Sequence, residues 1–206
     1  MTTTTPPAIT IRPVRADELD TYFDLTLLVD LHVPADLLPD LKNAMAQALH
    51  DERGPFSHAF NHFLFAETPD GTPIAAVHVG PGRWMLDRQI PTRLRRTLVE
   101  RVSNIDTIAV HPDHRGQGIA TRILDRVEDD FRQAGYRALT LRHEHDKKHF
   151  FTARGYTSLP RLAVDLPPTG LFTRAEPGWK FAVKPLADTV TLTSQRGLTT
   201  ITGLLD

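Results

Sequence analysis

The sequence predicts a mixed α/β fold in one domain. Runs that read as strands interleave with stretches of helical periodicity. Residues 102–141 follow strand, loop, helix and strand, the order of a parallel crossover unit covered by its helix. A length of 206 residues suits one sizeable core better than two small ones.

Each element has its own signal. Residues 8–14 read as a first strand, with Ile9 and Ile11 on one face and Thr10 and Arg12 on the other. Asp17 offers an N-cap before Leu19, Tyr22, Phe23, Thr26 and Leu27 at helical spacing. Pro34 can open a second helix through Leu37, Leu38, Leu41, Met45 and Leu49, ended by Gly54-Pro55. Residues 61–67 and 73–80 are successive strands joined at Pro69-Asp70-Gly71. Residues 84–98 give no clear period beyond a helical turn at Leu94 and Leu98. Residues 102–110 form the clearest strand. In the following helix Ile119, Ile123, Leu124, Val127 and Phe131 share a face, and Gly135 stops it. A strand begins at 136–141, a short helix covers 146–153, and Gly155-Tyr156 leads into another extended segment. Pro167-Pro168-Thr169-Gly170 is a turn and 180–183 a strand. Residues 186–206 form an extension whose Thr-rich sequence suits an edge strand, a homodimer contact or a frayed end. Residues 1–7, Thr- and Pro-rich and uncharged, are expected to be a flexible lead without the basic and apolar regions of a secretory peptide.

Composition narrows the function classes. Lys and Arg number 24 against 25 Asp and Glu, a formal net charge of −1, so a polybasic nucleic-acid binder is not expected. Cysteine is absent, which removes disulfides, thiolate-ligated metals and acyl-cysteine intermediates. No apolar run approaches the ~18 residues of a membrane span. A cytoplasmic protein with no nucleic-acid or membrane partner is the expectation.

The sharpest local feature is the run from Val110 through His111-Pro112-Asp113-His114 to Arg115-Gly116-Gln117-Gly118-Ile119-Ala120, where strand gives way to helix. Gly116 and Gly118 allow backbone geometries closed to larger residues and let a ligand approach the main chain. The first helical N–H groups lack internal partners and point back to the loop, at the positive end of the helix dipole. An anion would be held there mainly by converging amides, since the dipole itself supplies only ~0.3–1 kcal/mol. A glycine turn with no ligand reads the same way. The run is neither a Walker loop nor the dinucleotide fingerprint.

Arg115, Gly118 and Ala120 match the Gln/Arg-x-x-Gly-x-Gly/Ala motif of acetyl-CoA binding. Ala109-Val110-His111-Pro112 precede it, and Arg154-Gly155-Tyr156 follow at the expected distance. Over residues 105–156 the chain thus resembles the GCN5-related N-acetyltransferase (GNAT) superfamily, and Ile9 to Val14 look like its opening strand. The resemblance implies the GNAT acyl-CoA N-acyltransferase fold: a mixed, mostly antiparallel sheet splayed at a central parallel pair, with helices on both faces. It also implies transfer of an acetyl group from acetyl-CoA, as co-substrate, to an amine of a small molecule or protein. Arg115, Gly116, Gln117, Gly118, Ile119 and Ala120 would bind the pyrophosphate. Main-chain groups of Ile108, Ala109 and Val110 would pair with the pantetheine arm.

Such a reaction needs a proton acceptor. An alkyl amine near pKa ~10.4 costs about 4–5 kcal/mol to deprotonate at pH 7. Asp106 lies four residues before Val110 on the same strand face, and the family often has an acidic residue nearby, so it is the candidate base or water-positioning residue. A carboxylate capping the strand or pairing with an arginine reads equally; Glu100 and His78 are alternatives. Many family members carry a tyrosine four residues before the glycine of the Gly-Tyr pair, where it protonates departing thiolate. Here Phe151 stands there. A thiol near pKa ~8.5 leaves tolerably without an acid, and water or a histidine such as His143 could substitute. The alternative function is a non-catalytic acyl-CoA-binding or regulatory module of the same fold.

Tyr22, Phe23, Trp84 and Phe151 are candidates for lining the acceptor pocket, although the same residue types serve cores. His145 and His149 stand four apart without an assignable third ligand, and no metal is expected. Arg88, Arg93, Arg95 and Arg96 read as a charged surface or an anion-attracting patch.

Overall fold

The computed structural model describes residues 8–29, 31, 33–51 and 60–205. The flexible lead expected over 1–7 and the Gly54-Pro55 helix stop lie outside the described residues. In chain order the elements are β1 (Thr10–Pro13), α1 (Leu19–Thr26), α2 (Leu38–Leu49), β2 (His62–Glu67), β3 (Pro73–Gly80), α3 (Thr92–Arg101) and β4 (Val102–Val110). Then come α4 (Ile119–Gln133), β5 (Ala138–His143), α5 (Lys148–Thr152), β6 (Thr157–Leu159), β7 (Leu162–Leu166), β8 (Gly170–Arg174), β9 (Lys180–Pro185), β10 (Thr191–Gln195) and β11 (Leu198–Thr202). The chain divides into two compact units. One takes the described residues up to Val79 with Thr107–Val127, and the other takes Gly80–Asp106 with those from Glu128 onward.

In the first unit β1, β2 and β3 form an antiparallel meander, with Thr10 opposite Glu67 and His62 opposite Val79. β2 is buried along its whole length, so its sequence His62-Phe63-Leu64-Phe65-Ala66 shows no alternation. Phe63, Phe65 and Ala76 pack against Tyr22, Phe23 and Leu25 of α1 and against Met45 and Leu49 of α2. Asp17 does not cap α1 as expected. It sits within a 3-10 turn, Ala16–Glu18, and Glu18 takes the cap position. The Glu18 carboxylate is held there by Arg12 at 2.7 Å and by the Arg15 N–H at 2.9 Å. Pro34 likewise precedes a 3-10 turn, Ala35–Leu37, rather than α2 itself.

In the second unit β4 pairs parallel with β5, from Val102 opposite Ala138 to Ile105 opposite Leu141. β5 and β6 both pair antiparallel with β9. A further sheet, in the order β10-β11-β7-β8, is antiparallel except where β11 meets β7 at Ile201 and Val164. The 186–206 extension therefore contributes the β10–β11 hairpin to a sheet. Trp84, Leu98, Val102, Leu162, Val164, Phe181 and Ile201 are among the core residues of this unit. The fold is the expected mixed α/β class, with a parallel pair among mostly antiparallel strands.

The apolar face read for α4 is buried at all five positions, from Ile119 to Phe131. Gly135, at φ 80°, ends the helix. Its N–H bonds to the Arg132 carbonyl at 3.1 Å, and the Tyr136 N–H bonds to Phe131 at 2.9 Å, the paired bonds of a Schellman cap. The end of α5 repeats the device. Gly155 bonds to Thr152, Tyr156 bonds to Phe151, and the Phe151 and Tyr156 rings meet edge-on at 5.9 Å.

Candidate active site

The loop before α4 has the backbone of a ligand cradle. Gly116 and Gly118 have φ of 74° and 77°, and no heavy atom beyond their chain neighbours lies within 4 Å of where a Cβ would stand at either. The left-handed backbone favours glycine, and the open space around it leaves the amides approachable. The first helical bond runs from the Arg122 N–H to the Gly118 carbonyl at 3.1 Å, so the N–H groups just before it have no helical acceptor. Side chains brace the loop. Arg115 Nε donates to the Val110 carbonyl at 2.9 Å, and Gln117 Nε2 donates to the Asp113 carbonyl at 3.2 Å. Arg115, Gly116, Gln117 and Gly118 are exposed, Ile119 is buried and Ala120 half-buried. On β4, Ala109 is buried, with Ile108 and Val110 half-buried.

Asp106 opens into a cleft of the second unit, about 250 Å³ including open solvent, lined by Arg83, Trp84, Asn104, Asp106, Arg142, Glu176 and Phe181. A chain of hydrogen bonds holds the carboxyl. Trp84 Nε1 donates to Thr140 Oγ1 at 3.3 Å. Thr140 donates to Asn104 Oδ1 at 2.9 Å, and Asn104 Nδ2 donates to Asp106 Oδ1 at 2.7 Å. An indole is only a donor. The threonine hydroxyl has one proton to give, to the Asn104 oxygen or to the Ser103 carbonyl at 3.2 Å, and the Asp106 carboxylate, which only accepts, turns the Asn104 NH2 toward itself and the amide oxygen toward Thr140. Thr140, Trp84 and Asn104 are buried.

Asp106 itself is reached by solvent, yet the surrounding protein desolvates it. That desolvation pushes its carboxyl up to about 7, against the downward pull of the Asn104 hydrogen bond and of the Arg142 and Arg83 charges. A carboxyl that titrates near neutrality and remains accessible is suited to exchanging a proton with a ligand. Glu176 differs. Burial raises it, but hydrogen bonds from Arg142 at 2.5 Å and Arg174 at 2.9 Å outweigh burial and leave it below the usual carboxylate range.

Of the other sequence candidates, Trp84 joins Asp106 in the cleft. Tyr22 and Phe23 instead belong to the core of the first unit, where Tyr22 Oη donates to the Val77 carbonyl at 3.0 Å. His143 is buried: its Nδ1 donates to the Glu144 carbonyl at 2.6 Å, which leaves Nε2 to meet Ser158 Oγ at 2.9 Å. Phe151 packs against His143 and Tyr156 at the end of α5. His78 stacks on Phe63, bonds to Asn61 at 2.8 Å, and is pushed down to about 4 by burial. Glu100 pairs with Arg96 on the surface of α3. Among the described residues no three His, Cys, Asp or Glu side chains are placed to hold a metal ion, and no helix is long and apolar enough to cross a membrane.

Arg83, Asn104, Thr140, Arg142, Glu176 and Phe181 were not anticipated. Strand alternation pointed to three of them: Asn104 shares a strand face with Asp106, and Thr140 and Arg142 share the corresponding face of β5.

The model of the acetyltransferase (GNAT) family matches residues 28–156. The chain belongs to this family. As a GNAT member it is an acetyltransferase, and the match spans both the glycine loop and Asp106. No curated protein matches by sequence. A GNAT acetyltransferase from Staphylococcus aureus MU50 superposes with a TM-score of 0.59 at 15% identity, over 87% of this chain and all of that one. yncA from Salmonella typhimurium, solved with its cofactor acetyl-CoA, superposes at 0.55 and 15% identity, over 92% of this chain and 99% of that one. The spermidine/spermine N-acetyltransferase SpeG from Vibrio cholerae gives 0.55 and 15%, over 86% of this chain and 92% of that one. At these identities the likeness is one of fold.

Proposed function

We propose that the protein transfers an acetyl group from acetyl-CoA to an amine, with Asp106 as the proton acceptor. The observation that carries this reading is the Asp106 carboxyl, oriented by Asn104 and accessible from the cleft. The fit to coenzyme A rests on Gly116 and Gly118, whose open, left-handed backbone exposes the turn at which a diphosphate would collect N–H donors. Arg115 spends one N–H on Val110 and has others to give a phosphate oxygen. Main-chain groups of Ile108, Ala109 and Val110 would hold the pantetheine arm.

In the reaction Asp106 takes one proton from the substrate ammonium. The amine nitrogen then bonds to the thioester carbonyl carbon and the carbon–sulfur bond breaks. The second proton on nitrogen passes, through water, to the departing thiolate. The products are the acetamide and free coenzyme A, and Asp106 returns its proton to solvent. Phe151 has no proton to donate to the thiolate, and its place in the α5 cap accounts for its ring. His143, with both nitrogens bonded to protein, is less suited to the step than Asp106.

The test is mass spectrometry of amines and peptides incubated with the protein and acetyl-CoA. An acetylated product that Asp106→Asn suppresses by two or more orders of magnitude supports the reading. Saturable acetyl-CoA binding with no acetylated product across the panel would replace it with a non-catalytic acyl-CoA-binding module.

A further inference from the structure

Among the described residues most charged groups of the cleft are held by side chains of opposite sign, and Arg83 stands apart from them. Arg142 and Arg174 both donate to Glu176, and Arg174 also reaches Asp87 at 3.4 Å. The Arg142 guanidinium lies over the Trp179 ring at 5.3 Å. Two guanidiniums and two carboxylates thus form a closed set, with Glu176 spanned from both sides. Outside that set the cleft presents Asp106, which accepts from the Asn104 amide and has further interactions, and Arg83.

Arg83 lies in a 3-10 turn, Arg83–Leu86, exposed to solvent. Among the described residues it has no ion-pair or hydrogen-bond partner, and its interaction with Asp106 is through charge alone. The residue next to it, Trp84, is buried and tied to Thr140, which anchors the turn bearing the guanidinium.

We propose that the amine acceptor also carries a carboxylate, which Arg83 receives while Asp106 faces the amino group. This deepens the acetyl-transfer reading and rests on it. A cleft offering one carboxyl and one unspent guanidinium is complementary to a molecule with one cationic and one anionic end. A linear polyamine is a poor match. Its second ammonium would meet Arg83, and the remaining carboxylate of the lining, Glu176, is already shared by two arginines. Trp84 and Phe181 provide apolar surface for the stem between the two charged ends, in a cleft that is open to solvent.

The experiment is steady-state kinetics on matched acceptors: a series of amino acids, their side-chain-identical amides, and diamines of the same length. Wild-type protein should favour the acid over its amide by about 10- to 100-fold in kcat/KM, the range expected for a charge-assisted contact. Arg83→Gln should abolish that ratio and Arg83→Lys should keep part of it, with KM for acetyl-CoA unchanged in both. Because the ratio is compared between variants, the different basicity of acid and amide cancels. Preference for the amide or the diamine, or an acid-to-amide ratio untouched by Arg83→Gln, would overturn the assignment and leave acetyl transfer standing. A rise in KM for acetyl-CoA instead of the acceptor would assign Arg83 to an anion of the coenzyme and overturn it too. Failure to acetylate any member of the series while peptides are acetylated would overturn the assignment, and failure on peptides as well would remove the acetyl-transfer reading itself.

Discussion

The amide of Asn104 donates to the carboxylate of Asp106 at 2.7 Å, and the oxygen of the same amide is met at 2.9 Å by the hydroxyl of Thr140, on the neighbouring strand. Asn104 and Thr140 stand opposite each other in the parallel ladder of β4 and β5. Trp84 completes the arrangement by occupying the threonine oxygen with a donor that cannot accept. The hydrogen bond to a proposed catalytic carboxyl is thus supported by a hydroxyl that does not touch it and that also approaches the Ser103 carbonyl at 3.2 Å.

Thr140→Val tests this directly. The substitution keeps the shape but removes the hydroxyl, leaving the Trp84 indole N–H and the Asn104 oxygen to find new partners. Without its lock the Asn104 amide can rotate away. The carboxylate then loses a hydrogen bond that stabilises its charged form, and its pKa rises. The acid limb of kcat/KM should move upward by about one pH unit, with kcat near neutrality down about tenfold. Thr140→Ser should restore both. A uniform loss of activity without displacement of the limb would show that Thr140 serves only packing.

The raised carboxyl of Asp106 has a consequence for stability that can be read without any substrate. Below about pH 4 the group is protonated in folded and unfolded chains alike and contributes nothing. From there to about pH 7 the folded protein alone retains the proton, so stability falls as pH rises, and above 7 the whole penalty is present. Asp106→Asn removes a charge that folding disfavours. Its Tm should exceed that of the wild type at pH 8 and equal it near pH 4, measured by calorimetry at both values. A gain of the same size at both would mean that the substitution acts through packing instead.

A buried ion pair joins α4 to β9. Lys184 Nζ contacts the Glu128 carboxylate, also donates to the Arg154 carbonyl at 2.8 Å, and lies 5.4 Å from the Tyr156 ring centre. The Glu128 side chain is only 7% exposed. Removing one partner leaves the other charge desolvated, so Glu128→Leu alone should cost about 3–5 kcal/mol. The double change Glu128→Leu with Lys184→Met should recover much of it, because two apolar groups replace the pair. Chemical denaturation of the single and double variants measures the difference, and additive losses would contradict the coupling.

The legible parts of this sequence were those with a strong local cause. The five apolar residues of α4 and the glycines at both ends of its loop and helix need no tertiary context, and they lie where periodicity and turn chemistry put them. The hairpin of β2 and β3 was equally plain from Pro69-Asp70-Gly71. The sheet containing β7 and β8 was not, because Leu162-Ala163-Val164 is buried without alternation and, beyond its hairpin partner β8, its other neighbour is the distant β11. The site divides in the same way. Asp106 was singled out by its place on a strand, whereas Arg83 and Glu176 come from a 3-10 turn and a loop, where no period relates a side chain to a neighbouring face. Tyr22 and Phe23 were assigned to a pocket by residue type. Burial, which residue type does not report, puts them in a core.

The glycine loop can be tested separately from the cleft. Gly118 has a left-handed backbone and nothing within 4 Å of where a methyl group would stand, and the same is true of Gly135 at the far end of α4. Changing either to alanine should therefore incur a similar backbone penalty, about 1 kcal/mol or somewhat more. Only the methyl at Gly118 would intrude on the space in front of the helix amides. Gly118→Ala should raise the Kd for acetyl-CoA at least tenfold, whereas Gly135→Ala should lower Tm to a similar extent and leave that Kd unchanged. Calorimetric titration of the two variants at a temperature where both are folded makes the comparison. Equal affinities would place the coenzyme's diphosphate somewhere other than this turn.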